Sequence, residues 1–177
     1  MKNSDQFSLP KIKIFALIVF IFLVLAGNGL AWAQVTTLKG KTLPNDLSLQ
    51  HHKEGVFSLS QYHGKVLIIN FFATWCFPCR LETPDLIILY QKYKNRGLQV
   101  IGISVNDPGE KADVNFFVKN FNIPYPVGFG SEKVYKIFGD IQAVPTTFIV
   151  NRQSKVVIMI RGMAELALLE KEIKPLL

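Results

Sequence analysis

Seven residues, Val66-Leu67-Ile68-Ile69-Asn70-Phe71-Phe72, leave this chain little choice of architecture. The run does not alternate between apolar and polar positions, so a strand built from it must be covered on both faces. That places it at the centre of a sheet with helices above and below. It leads directly to Trp75-Cys76-Phe77-Pro78-Cys79, after which a helical pattern begins. From Arg80 to Lys94, apolar residues recur at Leu81, Leu86, Ile87, Leu89, Tyr90 and Tyr93, with Gly97 as a stop signal. This predicts an amphipathic helix with a kink at Pro84.

The strand–motif–helix order gives the two cysteines different work. A thiolate that attacks a disulfide needs a lowered pKa and a second thiol close by. A helix N-terminus supplies the first and a two-residue spacing the second. Cys76 is expected at the exposed first turn and Cys79 one turn further in, so Cys76 attacks and Cys79 resolves the mixed disulfide. Pro78 costs little in a first turn, where N–H groups have no intrahelical partner. A structural zinc site would need four ligands, and the chain has two cysteines and three histidines, His51, His52 and His63, without ligand spacing. A purely structural disulfide across so short a loop adds little chain entropy. The expectation is therefore redox chemistry, with no metal and no cofactor beyond the Cys76–Cys79 disulfide.

At 177 residues the chain is long enough for one domain plus its N-terminal segment. Lys2, Lys11 and Lys13 precede an apolar stretch from Ile14 to Ala26, then Gly27-Asn28-Gly29 and the cleavage-like Ala31-Trp32-Ala33. Residues 1–33 read as a signal peptide, with an uncleaved inner-membrane anchor over Ile12 to Ala33 as the alternative. Residues 34–46 read as a linker or a short edge piece, and residues 47–177 as the domain. An exported, periplasmic or extracytoplasmic location follows, the setting in which disulfides form and persist. Removing three lysines and one aspartate with the leader takes the formal charge from +7 to +5. That charge is scattered and marks no nucleic-acid surface.

Along the chain, Leu47-Ser48-Leu49 and Val56-Phe57-Ser58-Leu59 predict a small hairpin with His51-His52 at its polar tip. His63 falls in a turn. Leu98 to Val105 predicts a second buried strand, Asn106-Asp107-Pro108-Gly109 a turn, and Val114, Phe117, Val118 and Phe121 a second helix. A short strand (Tyr125 to Phe129) and helix (Glu132 to Phe138) precede an antiparallel hairpin over Ala143 to Ile160. Ala164 to Leu177 is a closing helix. The order is that of an α/β layered domain.

Three segments in this order resemble the thioredoxin superfamily, and within it the exported TlpA/ResA-like thiol-disulfide oxidoreductases, a group that includes cytochrome c maturation proteins. They are Gly64 through Pro84 with the Trp75–Cys79 motif, Val100-Ile101-Gly102-Ile103-Ser104, and Val144-Pro145-Thr146-Thr147-Phe148. The resemblance implies a thioredoxin-like fold: a central mixed sheet with helices on both faces, an N-terminal β-hairpin extension and an inserted helix–strand unit. It implies that Cys76 and Cys79 are the redox pair. Pro145 matches a cis-proline whose loop faces the cysteines, with the Val144 backbone, Trp75, Phe77 and Pro78 meeting substrate. Asn70 stands where cytosolic thioredoxins place a buried aspartate. Glu82 matches a glutamate of the ResA-like members and either tunes the thiol pKa values or relays a proton, or is an ordinary helix-surface charge. The implied activity is reduction of exported protein disulfides, apocytochrome c being one candidate, with recharging by a membrane electron donor. A disulfide oxidase or isomerase and a copper-delivery protein are the alternatives on the same fold. A peroxiredoxin is disfavoured because no Pro-x-x-x-Thr-x-x-Cys arrangement surrounds Cys76.

Overall fold

The structure is a computed structural model that describes residues 33–177 apart from 45, 106–109 and 140. Ala33 aside, the expected leader lies outside the described residues, as does the expected turn at Asn106-Asp107-Pro108-Gly109. In chain order the strands are β1 (Gln34–Thr42), β2 (Ser48–His51), β3 (Val56–Ser58), β4 (Val66–Phe72), β5 (Leu98–Ser104), β6 (Val127–Phe129), β7 (Thr146–Val150) and β8 (Lys155–Arg161). The helices are α1 (Phe77–Tyr93), α2 (Lys111–Asn120), α3 (Glu132–Phe138) and α4 (Leu166–Ile173). Among the described residues, no helix is long and apolar enough to cross a membrane.

All eight strands join one mixed sheet in the order β1-β8-β7-β4-β5-β6-β2-β3, with β4 parallel to β5 and antiparallel to β7. All seven residues of β4 are buried. Alternate side chains serve two cores, because successive residues of a strand point to opposite faces. Val66, Ile68 and Phe72 pack with Leu86 and Leu89 of α1, Phe117 of α2 and Leu169 of α4. Leu67, Ile69 and Phe71 pack with Val134 and Phe138 of α3. The expected thioredoxin-like α/β fold is thus present, and the C-terminal end of β4 delivers the chain to the Cys-x-x-Cys motif.

Each sheet edge departs in one respect from the reading of the sequence. Residues 34–42, expected as linker or short edge piece, form a nine-residue strand antiparallel to β8, from Gln34 opposite Arg161 to Thr42 opposite Lys155. The β-branched Val35, Thr36 and Thr37 suit a pleated surface, and β1 pairs backbone groups that β8 would otherwise leave open. At the opposite edge the β2–β3 hairpin forms as expected and joins β6 through Gln50 opposite Phe129. His52 is not a polar tip: it is 5% exposed, its Nδ1 2.8 Å from Asn115 Oδ1 of α2.

The end of the sheet remote from the motif is held by Arg152, in the β7–β8 turn. Its guanidinium donates to the backbone oxygens of Gly64 (3.0 Å), Arg96 (3.2 Å) and Leu177 (3.0 Å), drawing together the approaches to β4 and β5 and the chain after α4. Arg152→Ala should cost about 1–2 kcal/mol in urea unfolding, the scale of several partly solvated charge-assisted bonds. A loss under about 0.5 kcal/mol, the range of ordinary surface changes, would show the clamp to be energetically idle.

Candidate active site

Cys76 and Cys79 are joined as a disulfide with their Cα atoms 5.3 Å apart. Cys76 is the N-cap of α1, extended at φ −78° and ψ 109°, and its Sγ accepts the Cys79 backbone N–H at 3.2 Å. One of the unpaired first-turn donors thus points at the sulfur that becomes a thiolate on reduction. Phe77 and Pro78 fill the first two helical positions, where the missing proline N–H is not needed. The helix continues through Pro84 to Tyr93, and Thr83 donates its hydroxyl to the Cys79 carbonyl at 2.8 Å. Cys76 was expected at an exposed turn, yet it is 5% exposed against 1% for Cys79. The cause is the loop before β7, whose Val144 carbonyl oxygen lies 3.7 Å from Cys76 Sγ. The peptide bond between Val144 and Pro145 is cis.

Glu82 is 1% exposed, which removes the reading of a surface charge. Its Oε1 accepts the Ala164 backbone N–H at 3.0 Å, and its Oε2 accepts the Asn70 side-chain N–H at 2.9 Å. Asn70 also donates to Thr147 Oγ1 at 2.9 Å. Burial pushes the Glu82 carboxyl up to about 7. The donors Ala164 and Asn70 oppose that rise, and the neighbouring charge of Asp85 adds to it. The sequence held a signal for this burial. Glu82, Leu86, Leu89 and Tyr93 recur at helical spacing and are all buried, whereas Leu81, expected on the apolar face, is 51% exposed. Sequence reasoning missed the second partner of Asn70, the Ala164 amide and Asp85, which accepts the Leu166 N–H at 2.9 Å. Asn70, a lone amide in an otherwise apolar strand run, was the available cue.

Around the disulfide the surface carries exposed apolar side chains among polar ones. Trp75 is 70% exposed, and Phe77 and Leu81 of α1 are exposed as well. Trp75 walls two hollows. One, about 340 Å³, is lined by Val105, Tyr135, Ile141, Ala143 and Val144. The other, about 250 Å³, lies between Arg80 and the α2 residues Asp113 and Phe116. Among the described residues, no cluster of three or more His, Cys, Asp or Glu side chains could hold a metal ion. The described arrangement suits two-electron exchange between sulfurs, with one buried carboxyl near neutrality one helical turn from Cys79.

Comparison with known proteins agrees with the geometry. Residues 40–159 match the AhpC/TSA family. The chain is 31% identical over 155 residues to the thiol-disulfide oxidoreductase ResA of Geobacillus thermodenitrificans (strain NG80-2), covering 81% of this chain and 84% of that one. It is 32% identical over 104 residues to ResA of Bacillus subtilis (strain 168), covering 59% of this chain and 57% of the relative. A thiol:disulfide interchange protein of the thioredoxin family from Chlorobium tepidum TLS superposes with a TM-score of 0.71 at 29% identity, over 80% of this chain and 99% of that one.

The Glu82 carboxyl has a measurable consequence in the oxidised protein. Its folded pKa is about 7 against a reference of 4.5, so the folded state holds a proton that the unfolded state releases. The stability it contributes is fully present below about pH 4.5 and is lost as pH rises through about 7, by about 3 kcal/mol in all. Urea titrations at pH 4.5 and 8 should therefore show Glu82→Gln losing less stability across that interval than the native protein. Equal losses would mean that the carboxyl titrates normally.

Proposed function

The chain belongs to the AhpC/TSA family, and on that premise we propose that it is an extracytoplasmic thiol-disulfide oxidoreductase that reduces disulfides of particular exported proteins. Apocytochrome c is one candidate substrate. The observation that carries the reading is the Cys76–Cys79 disulfide at the N-terminus of α1, facing the Val144–Pro145 loop. An export leader over residues 1–33 or an anchor in the same segment would place the domain where its substrates fold.

In the dithiol form the Cys76 thiolate, favoured by the Cys79 N–H and the helix N-terminus, attacks one sulfur of the partner's disulfide. That bond breaks, a Cys76–partner disulfide forms, and the partner's other sulfur leaves as a thiolate and takes from solvent the proton that Cys76 released on ionising. The Glu82 carboxylate takes the Cys79 proton. The Cys79 thiolate then attacks Cys76 Sγ, closes the intramolecular disulfide and expels the partner's second thiolate, which is protonated as Glu82 gives its proton up. The partner gains two electrons and two protons, and the enzyme loses them. A membrane-borne dithiol donor restores the pair by the reverse exchange. The Val144 backbone beside Cys76 offers an extended substrate segment main-chain partners, while Trp75, Phe77 and Pro78 form its apolar contacts.

The order of attack sets the test. Cys79→Ser should accumulate mixed disulfides with exported proteins on non-reducing gels, and Cys76→Ser should accumulate none. Trapping by the Cys76 variant in place of the Cys79 variant would reverse the roles assigned to the two sulfurs.

A further inference from the structure

We infer that Asn70 is the positioning residue of the proton-handling site: its side-chain amide fixes the carboxyl of Glu82, a residue of the redox helix α1, and keeps it a usable base. Asn70 and Thr147 are opposite each other in the register of β4 and β7. The Asn70 nitrogen lies 2.9 Å from Thr147 Oγ1 and 2.9 Å from Glu82 Oε2, and the three residues are 4%, 0% and 1% exposed. With both donor directions committed, the amide cannot swing away without abandoning a buried partner.

The chemistry of the two bonds gives the amide its role. A proton on Oε2 would face the N–H of Asn70, and one on Oε1 would face the N–H of Ala164. Both donors therefore favour the carboxylate, while the surrounding protein, closed to water, favours the neutral acid. A Glu82 held permanently protonated could not accept the Cys79 proton. The other groups that act on its charge are no substitute. Asp85, on the next turn of α1, is acidic, and the buried phenol of Tyr125 faces Glu82 as a group whose own ionisation is pushed up by burial. Asn70 is neutral, so it supplies a donor without adding a second charge to the pocket. This inference rests on the proposed role of Glu82 as the acceptor of the Cys79 proton.

The test is a pair of substitutions read by the ¹³C resonance of the Glu82 side-chain carboxyl in the oxidised protein. Asn70→Leu removes the donor at similar volume and should raise the Glu82 midpoint by about one pH unit, the size of one lost charge-assisted bond. Asn70→Asp keeps the shape but brings a second carboxyl against the first. The pair should then titrate in two steps, the upper one above the native midpoint. It remains informative if the leucine variant does not fold. The same displacement should appear in the pH profile of the Cys79 step when the dithiol protein reduces oxidised glutathione. A Glu82 midpoint unmoved in either folded variant overturns the inference. Glu82→Gln serves as the control: if it keeps the native pH profile, the role of Glu82 itself fails. If it abolishes the inflection while Asn70→Leu leaves the midpoint in place, only the role of Asn70 fails.

Discussion

A carboxyl group on the redox helix, shut away from water, is the constraint on which the arrangement of this domain turns. Moving an ionised carboxylate into a protein interior costs several kcal/mol unless hydrogen bonds replace the lost water. Glu82 meets that demand with donors from two distant parts of the chain, the Asn70 amide on β4 and the Ala164 N–H ahead of α4. One turn on, Asp85 takes the Leu166 N–H, the first helical position of α4, whose own N-cap residue Glu165 makes no side-chain cap bond. Two acids of α1 thus clasp residues 164–166, and through Asn70 and Thr147 the clasp reaches the strand that follows Pro145. The disulfide, the cis-proline loop and the buried acid are held in one frame.

Much of this frame is legible in the sequence. The unbroken apolar run at β4 gave a strand covered on both faces, and the motif after it opens a helix as its cysteine spacing requires. The helix Glu132–Phe138 runs over the residues its sequence pattern predicted, with Ser131 capping through Val134 N and Gly139 left-handed at its end. Asymmetry between the cysteines was also visible, although Cys76 is more covered than a helix start implies. The cover comes from a loop 68 residues away in sequence. Local pattern carries no information about such a contact.

Tertiary packing decided what the sequence left open. Whether α1 turns Leu81 or Glu82 inward depends on the rest of its buried stripe, and Leu86, Leu89 and Tyr93 select the face that includes the acid. A hydrophobic count ranks Leu81 first and is misled. β1 was missed as a regular strand because its residues are mostly polar and exposed; it exists through pairing with β8. His52 is ordered by Asn115, a partner 63 residues away. These misses share a cause: each side chain is placed by a long-range partner that local spacing does not reveal.

The proposed reductase role fixes a direction of electron flow, from the Cys76–Cys79 dithiol to the partner. Between the cysteines stand Phe77 and Pro78, neither of which is charged, and a backbone carbonyl rather than a cation lies beside Cys76 Sγ. The stabilisation of the Cys76 thiolate therefore comes from the helix N-terminus and its immediate surroundings. A modestly stabilised thiolate leaves the dithiol form ready to surrender electrons. Equilibration of the protein with glutathione redox buffers measures this most directly. A reductase of this kind should show a reduction potential near that of thioredoxin, about −270 mV, and a value above about −180 mV, toward strong oxidants such as DsbA at about −120 mV, would rule out the reductase role.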